Sequence, residues 1–438
     1  MTTIIAASDG LASSGRPLPA MRLIVGARVL GTMIEWYDFL IYGTAAALIF
    51  NKLFFPTFDP IVGTLAAFGS YAVGFVARPL GGAIFGHFGD RLGRKAMLMA
   101  TMLIMGGGTF LIGCLPSYAT AGVWAPALLI VLRLLQGIGI GGEWGGAVLM
   151  VVENAQDRNR GLLGSMVQIG WPIGNLAAIG IFAALSQVPE ADFLAWAWRV
   201  PFLISIGLVA VGLFVRMRLA ETPLFRQVQA EDAVAAAPLL DVILRAPRAF
   251  LIAVGIKISE VAWVYVLTVF CLVYATGQLH LPRAVILDAV LYAALLELAT
   301  IPVFGWLSDR LGRRALYIFG ALVSAAAAFP LFWLLDTANP TLVAIAIALA
   351  LSLTHGTMFG PQASYMPELF GTRMRYSGAS LGCQVAAAIS GGFAPIIATA
   401  LFAWAGGTWA ISLYLIALAG ITLAATLASP ETAFDDLT

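Results

Sequence analysis

The chain has 438 residues, 61% of them hydrophobic and 11% charged, with a formal net charge of +1. Soluble domains average roughly 45–50% apolar and about 25% charged, so this composition excludes a water-solvated globule and fits a protein solvated by lipid. The near-zero charge implies neither a basic nucleic-acid surface nor an acidic tail, and the three cysteines, Cys114, Cys271 and Cys383, share no metal-ligand spacing and read as small packing residues.

Residues 1–21 read as a polar tail without the apolar core or cleavage site of a signal peptide, so the first span is expected to direct insertion itself. A span needs about 20 apolar residues, and twelve stretches qualify. The first six run over 24–50, 61–88, 97–116, 122–151, 161–186 and 199–217. A polar break at 218–247, containing "ETPLFRQVQAEDA", precedes six more at 248–275, 284–307, 314–335, 341–365, 376–403 and 408–429. The expected fold is all-α integral membrane: a six-helix bundle over 22–217, a linker over 218–247, a second six-helix bundle over 248–430 and a tail over 431–438. Lys and Arg gather on the loops that follow even-numbered spans, among them Arg91, Arg94, Lys95, Arg158, Arg160, Arg310, Arg313 and Arg314. The opposite side keeps only Lys52, Arg199 and Arg283. Both termini are therefore expected in the cytoplasm.

The halves repeat one another. "GHFGDRLGRKA" at 86–96 returns as "GWLSDRLGRRA" at 305–315, an offset of 219 residues. "ENAQDRNR" after the fourth span places Glu153 and Arg160 seven apart, and "ELFGTRMR" after the tenth does the same with Glu368 and Arg375. Parallel six-helix repeats imply two bundles that rock about a shared cavity.

Ionisable residues inside spans need a reason, because each costs at least ~2.5–3.5 kcal/mol at mid-bilayer. The first span carries Glu35 and Asp38 on one face, the second Arg78, and the fourth Arg133, Gln136 and Glu143 within about a quarter-turn of one another. The fifth carries a polar stripe, Gln168, Trp171 and Asn175, and the later spans carry Lys257, Glu260, Glu297, His355 and Gln384. The leading expectation pairs Asp38 with Arg133, so that a carboxylate gains and loses a proton as its partner moves; Glu35 is the rival, and a static ion pair the bland alternative. Lys257 sits near enough to its helix end to snorkel, His355 would serve as an ordinary interhelical hydrogen bond, and Trp171 as plain packing. "GIGIGG" at 137–142 has dinucleotide-loop spacing but lies within a continuous apolar span. There it reads as helix-packing glycines.

The doubled G-x-x-x-D-R-x-G-R-R/K turn resembles the signature of the major facilitator superfamily. "IEWYDFLIYG" (34–43), "RLLQGIGIGGEWGGA" (133–147) and "PELFGTRMRYSGASLG" (367–382) narrow the similarity to its metabolite:proton symporters. These are carriers of shikimate, 2-oxoglutarate, citrate and proline/betaine, and the shikimate carriers are nearest in character. The resemblance runs from about residue 22 to 430 and implies a transporter rather than an enzyme. It would import a small polar metabolite, an organic acid such as shikimate, with protons, across a bacterial inner membrane. It implies a monomer in lipid, with no nucleic-acid partner, no metal and no cofactor beyond the proton gradient. A proton-driven exporter, or a symporter of a zwitterion such as proline or betaine, is the alternative.

By the same resemblance Asp38, Glu35 and Arg133 would couple protons. Arg133 and Lys257 would hold a substrate carboxylate. Glu260 and His355 would meet hydroxyls, and Gln136, Gln168, Trp171, Asn175 and Gln384 would complete the cavity. Asp90, Arg91, Arg94, Glu153, Asp309, Arg310, Arg313 and Glu368 would form a cytoplasmic latch, each Asp meeting the positive end of a neighbouring helix. Gly86 and Gly305 would allow close approach, and Gly93 and Gly312 an unusual turn.

Overall fold

Apolar side chains in lipid leave the backbone no water to bond, so each crossing segment must satisfy its own amides as a helix. The computed structural model describes residues 18–82, 84–85, 94–141, 159–218, 238–371 and 374–435, and every regular element among them is helical. The first six long helices are α1 (Arg28–Leu53), α2 (Pro60–Gly82), α3 (Arg94–Gly113), α4 (Trp124–Gly141), α5 (Arg160–Leu185) and α6 (Ala197–Val215). The second six are α7 (Pro247–Gly277), α8 (Arg283–Leu311), α9 (Arg313–Asp336), α10 (Pro340–Glu368), α11 (Ser377–Ala405) and α12 (Trp409–Ala428). Eleven are long and apolar enough on their own to cross a bilayer, and Met99–Gly113 is the apolar stretch of α3. The large apolar side chains left outside, such as Leu128 and Val131 on α4 or Phe319 and Leu322 on α9, face where lipid would lie.

Local chemistry fixes the starts. Asp59 caps α2 by accepting from the Ile61 amide at 2.9 Å ahead of Pro60, and Asn339 does the same for Thr341 at 3.0 Å ahead of Pro340. A short helix, Pro238–Arg245, lies within the stretch expected as linker and packs on α7 and the start of α11.

The two halves pack alike. In the first, α1 lies on α5, α3 on α6 and α2 on α4; in the second, α7 lies on α11, α9 on α12 and α8 on α10. The bundles meet through α5 against α8 and, in the equivalent place, α2 against α11. Among the described residues, four helices are interrupted by a π-helical turn: α1 at Ala46–Phe50, α7 at Val266–Phe270, α10 at Leu351–His355 and α11 at Ala387–Gly392. A π turn inserts a residue and rotates the face beyond it, a feature frequent at functional sites.

Candidate functional site

Between the bundles lies a partly enclosed cavity. From the first half its walls take Glu35 and Trp36 of α1, Arg78 of α2 and Trp171 of α5. From the second they take Lys257, Glu260 and Tyr265 of α7, His355 and Phe359 of α10, and Gln384 of α11. His355 closes the π turn of α10, which brings its ring to the wall. Trp171 meets Trp36 edge-on at 4.9 Å and the His355 ring at 5.3 Å, so one aromatic corner joins both bundles.

Around the cavity, Lys257, Glu260, His355 and Glu297 of the second half form one continuous network. Lys257 Nζ donates to Gln362 Oε1 at 2.7 Å and lies 3.4 Å from Glu260 Oε2, which also accepts from Gln362 Nε2 at 2.9 Å. Glu260 Oε1 is 3.1 Å from His355 Nε2, and His355 Nδ1 is 2.5 Å from Glu297 Oε1. Trp171 Nε1 then donates across the bundle boundary to Glu297 Oε2 at 2.7 Å. Every ionisable member is buried. Lys257 therefore does not snorkel to an interface: Glu260 and Gln362 give its ammonium partners at depth.

The first half is arranged differently, and the expected Asp38–Arg133 ion pair is not formed. Neither Asp38 carboxyl oxygen has a hydrogen-bond partner, although the residue is 1% exposed. Arg133 instead sits over the faces of Phe39 and Tyr42, at 4.1 Å from each ring, and over Tyr71 at 4.8 Å. Its Nη1 donates to Gln136 Oε1 at 3.2 Å. Gly74 makes the room, since a Cβ there would lie 2.5 Å from Arg133 Nε. Aromatic faces supply the negative potential that a carboxylate was expected to supply.

Trp171, Lys257, Glu260, His355, Gln384 and Glu35 thus border the cavity, whereas Arg133, Gln136, Gln168, Asn175 and Asp38 do not. Gln136 is turned away to Thr109, donating to its hydroxyl at 2.6 Å. Gln168 faces the Phe359 carbonyl of α10 at 3.5 Å, inside the bundle contact. Asn175 is fully buried where Gly174 presses α5 onto α1, and neither of its polar atoms has a partner. The cavity adds Arg78, whose guanidinium lies over Phe39 at 4.2 Å and Phe75 at 4.5 Å. Arg78, Glu297 and Gln362 were not assigned a role by sequence, but one signal was available. Arg78 and Glu297 are 219 residues apart, as are Asp38 and Lys257, so the repeat places opposite charges at matching positions.

At one end of the bundles, Asp309 caps α5 by accepting from the Gly161 amide at 2.7 Å and the Leu162 amide at 2.9 Å. Arg313 holds Asp309 Oδ1 at 2.8 Å and Glu368 at 3.3 Å, and Arg160 Nε approaches Glu368 at 3.7 Å. The chain after α12 joins in. Glu431 accepts from the Arg313 and Arg314 amides at 2.8 and 3.1 Å, Thr432 donates to Glu368 at 2.6 Å, and the Asp435 carbonyl accepts from Arg160 at 2.6 Å. Gly305 and Gly161 let α8 and α5 touch, since a Cβ on Gly161 would lie 2.4 Å from the Gly305 carbonyl. Gly312 turns with φ +99°, which a side chain would strain. Arg310, expected in this cluster, is excluded from it; it lies over Trp306 at 4.0 Å on the exposed face of α8. Asp90, Arg91, Glu153, Glu143, Gly86, Gly93 and the Arg94 side chain fall outside the described residues.

The Major Facilitator Superfamily profile matches residues 29–395. The chain is 44% identical over 391 residues to the shikimate transporter of Escherichia coli K12, covering 88% of this chain and 89% of that protein. It is 35% identical to the proline/betaine transporter of Salmonella typhimurium LT2, covering 94% and 84%. In structure it resembles a crystallised D-xylose–proton symporter with a TM-score of 0.73 at 20% identity, over 95% of this chain and 99% of that one.

Proposed function

This chain belongs to the major facilitator superfamily and is a multi-pass membrane transporter, not an enzyme; from that premise we propose that it imports a small carboxylate of the shikimate type together with protons. The observation that carries this reading is the cavity lined by Lys257 of one bundle and Arg78 of the other, together with Trp36, Trp171, Tyr265 and Phe359. Two cations on opposite walls suit a carboxylate. Flat aromatic walls suit a ring, and Gln384 Oε1, buried without a partner, suits a hydroxyl. Similarity to a shikimate transporter points the same way.

Asp38 is the proton acceptor of this reading. An ionised carboxylate buried without a donor is costly, whereas its neutral acid is tolerated. Arg133, caged nearby, becomes its partner in the opposite conformation. Asp309, Arg313, Glu368 and Arg160 form the cytoplasmic latch that parts when the carrier opens inward, with both termini on that side of a bacterial inner membrane. A second reading, symport of a zwitterion such as betaine, is favoured by Glu35 on the same wall as two tryptophans, a setting for a quaternary ammonium.

Uptake into proteoliposomes under an inward proton gradient, with a panel of carboxylates and zwitterions, decides between them. Shikimate or a related ring acid is expected to accumulate above equilibrium, and to stop doing so when the gradient is collapsed. A response to betaine alone would replace the first reading by the second.

A further inference from the structure

The hydrogen bonds around His355 require one proton more than a neutral ring supplies. Its two nitrogens face Glu260 Oε1 at 3.1 Å and Glu297 Oε1 at 2.5 Å, and the three side chains are at most 3% exposed. A neutral imidazole has one N–H, so both contacts are hydrogen bonds only when a further proton sits on the second nitrogen or on a carboxyl. With that proton Lys257, Glu260, His355 and Glu297 sum to zero.

Lys257 is also the cation that this wall offers to a carboxylate. Its contact with Glu260, at 3.4 Å, is looser than its 2.7 Å bond to Gln362, so Glu260 is the partner a substrate would replace. Glu260 would keep its bonds to Gln362 and His355. The arriving carboxylate, however, brings the local sum to −1 in a buried place, where an uncompensated charge costs several kcal/mol.

We infer that substrate and proton bind at one shared site: an incoming carboxylate displaces Glu260 from Lys257, and the displaced Glu260 takes up a proton from the cavity it borders. This rests on the symport reading and deepens it. The proton comes from hydronium entering the cavity; one O–H bond forms on Glu260 as one O–H bond of hydronium breaks, and water is left. Glu260 borders the cavity and Glu297 does not, and Glu297 is further held by Trp171, so Glu260 is the member that can exchange.

Among the other groups facing the cluster, Tyr265 lies on the same helix, Tyr317 on α9 and Cys383 on α11. Glu35 and Arg78 across the cavity are one of each sign and leave the sum unchanged. Asp38 stands apart in the other bundle, so two protons accompany one carboxylate and each cycle carries one net positive charge inward.

The test uses the purified protein in detergent, with shikimate as probe. Adding shikimate to wild type in weak buffer is expected to draw protons from solution, read with a pH indicator. The shikimate Kd is expected to rise towards about tenfold per pH unit above the coupling range, as linkage to one proton requires. In Glu260→Gln, which mimics the protonated side chain, that dependence should flatten and the Kd at high pH should fall below wild type. In proteoliposomes on a solid-supported membrane, wild type should give an inward positive current on a shikimate jump, and Glu260→Gln should lose about 90% or more of it. Uptake without current, or binding by wild type without proton uptake, overturns the shared site and leaves the symport reading standing. Absence of any pH-driven uptake of shikimate removes that reading and the shared site with it.

Discussion

Asp38 and Lys257 occupy matching positions in the two halves, yet the first is a buried carboxylate outside any ion pair among the described residues, and the second is a cation held by Gln362 and Glu260. That difference decides what each substitution should do. Asp38→Asn removes the ionisable group without removing volume, so the folded carrier should keep counterflow of shikimate while losing accumulation against a gradient. Unchanged concentrative uptake in that variant would remove Asp38 from the coupling step. Lys257→Gln removes the ammonium and leaves Glu260 buried without it. Loss of a charge-assisted contact should raise the shikimate Kd by roughly ten- to a hundredfold, about 1.5–3 kcal/mol. The same change should lower Tm, because a broken buried pair costs roughly 3–5 kcal/mol. A binding isotherm and a thermal melt on one preparation check both.

At the scale of elements, the cage around Arg133 depends on how closely α2 and α4 run. A Cβ on Gly137 would lie 2.1 Å from the Gly74 carbonyl, and one on Gly141 would lie 1.9 Å from the Arg78 carbonyl. Backbone contact of this kind is what small-x-x-x-small spacing permits between helices. Gly141→Val should push α2 away, moving Arg78 on the cavity wall, at a cost of at least about 1–3 kcal/mol from overpacking. The readout is a lower Tm together with a weaker shikimate Kd. A variant with wild-type melting would show that the two helices yield freely there. The π turns act on the same scale: the one ending at His355 sets which face of α10 meets Glu260 and Glu297, something no residue pattern in "LSLTH" announces.

Across the whole molecule, one end of the bundles is joined by Asp309 capping α5 and by the Arg313–Glu368–Arg160 cluster, while the cavity lies between the bundles. Asp309→Asn weakens two amide-to-carboxylate bonds worth roughly 1.5–3 kcal/mol together. The population should shift towards the form open at this end by about tenfold or more. Accessibility of a cysteine placed behind the latch should rise accordingly; unchanged labelling would mean that the cap holds nothing shut. At the opposite end Arg283 of α8 donates to the Leu185, Ser186 and Val188 carbonyls at 3.2–3.4 Å, and an exposed pair links two parts of the first bundle. Glu190 accepts from Lys52 at 2.6 Å, and that hydrogen bond, followed by the lysine's charge, holds the Glu190 carboxyl below its ordinary value. A depressed carboxyl contributes stability above its ordinary value and loses it as pH falls through the depressed one. Both partners are exposed, so Glu190→Gln should cost less than about 1 kcal/mol, and any effect should fade with salt.

Composition, span length and the 219-residue repeat were enough to determine twelve apolar helices in two matching bundles, because lipid leaves the backbone few other ways to satisfy itself. The sequence also marked the costly residues: Lys257, Glu260, His355, Trp171 and Gln384 stand out as polar groups in oil, and the structure gathers them on one cavity. Which charge meets which was decided only in three dimensions. Arg133 turned from Asp38 to aromatic rings because Gly74, on another helix, left a space for it. Arg310 is absent from the Asp309–Arg313–Glu368 cluster because its position on α8 faces outward, and Glu431 and Thr432 join it because the chain after α12 returns to the start of α9. Burial and cost are properties of a residue in its own helix, and a sequence records them. Pairing depends on the rotation and separation of helices far apart in the chain, which packing alone fixes.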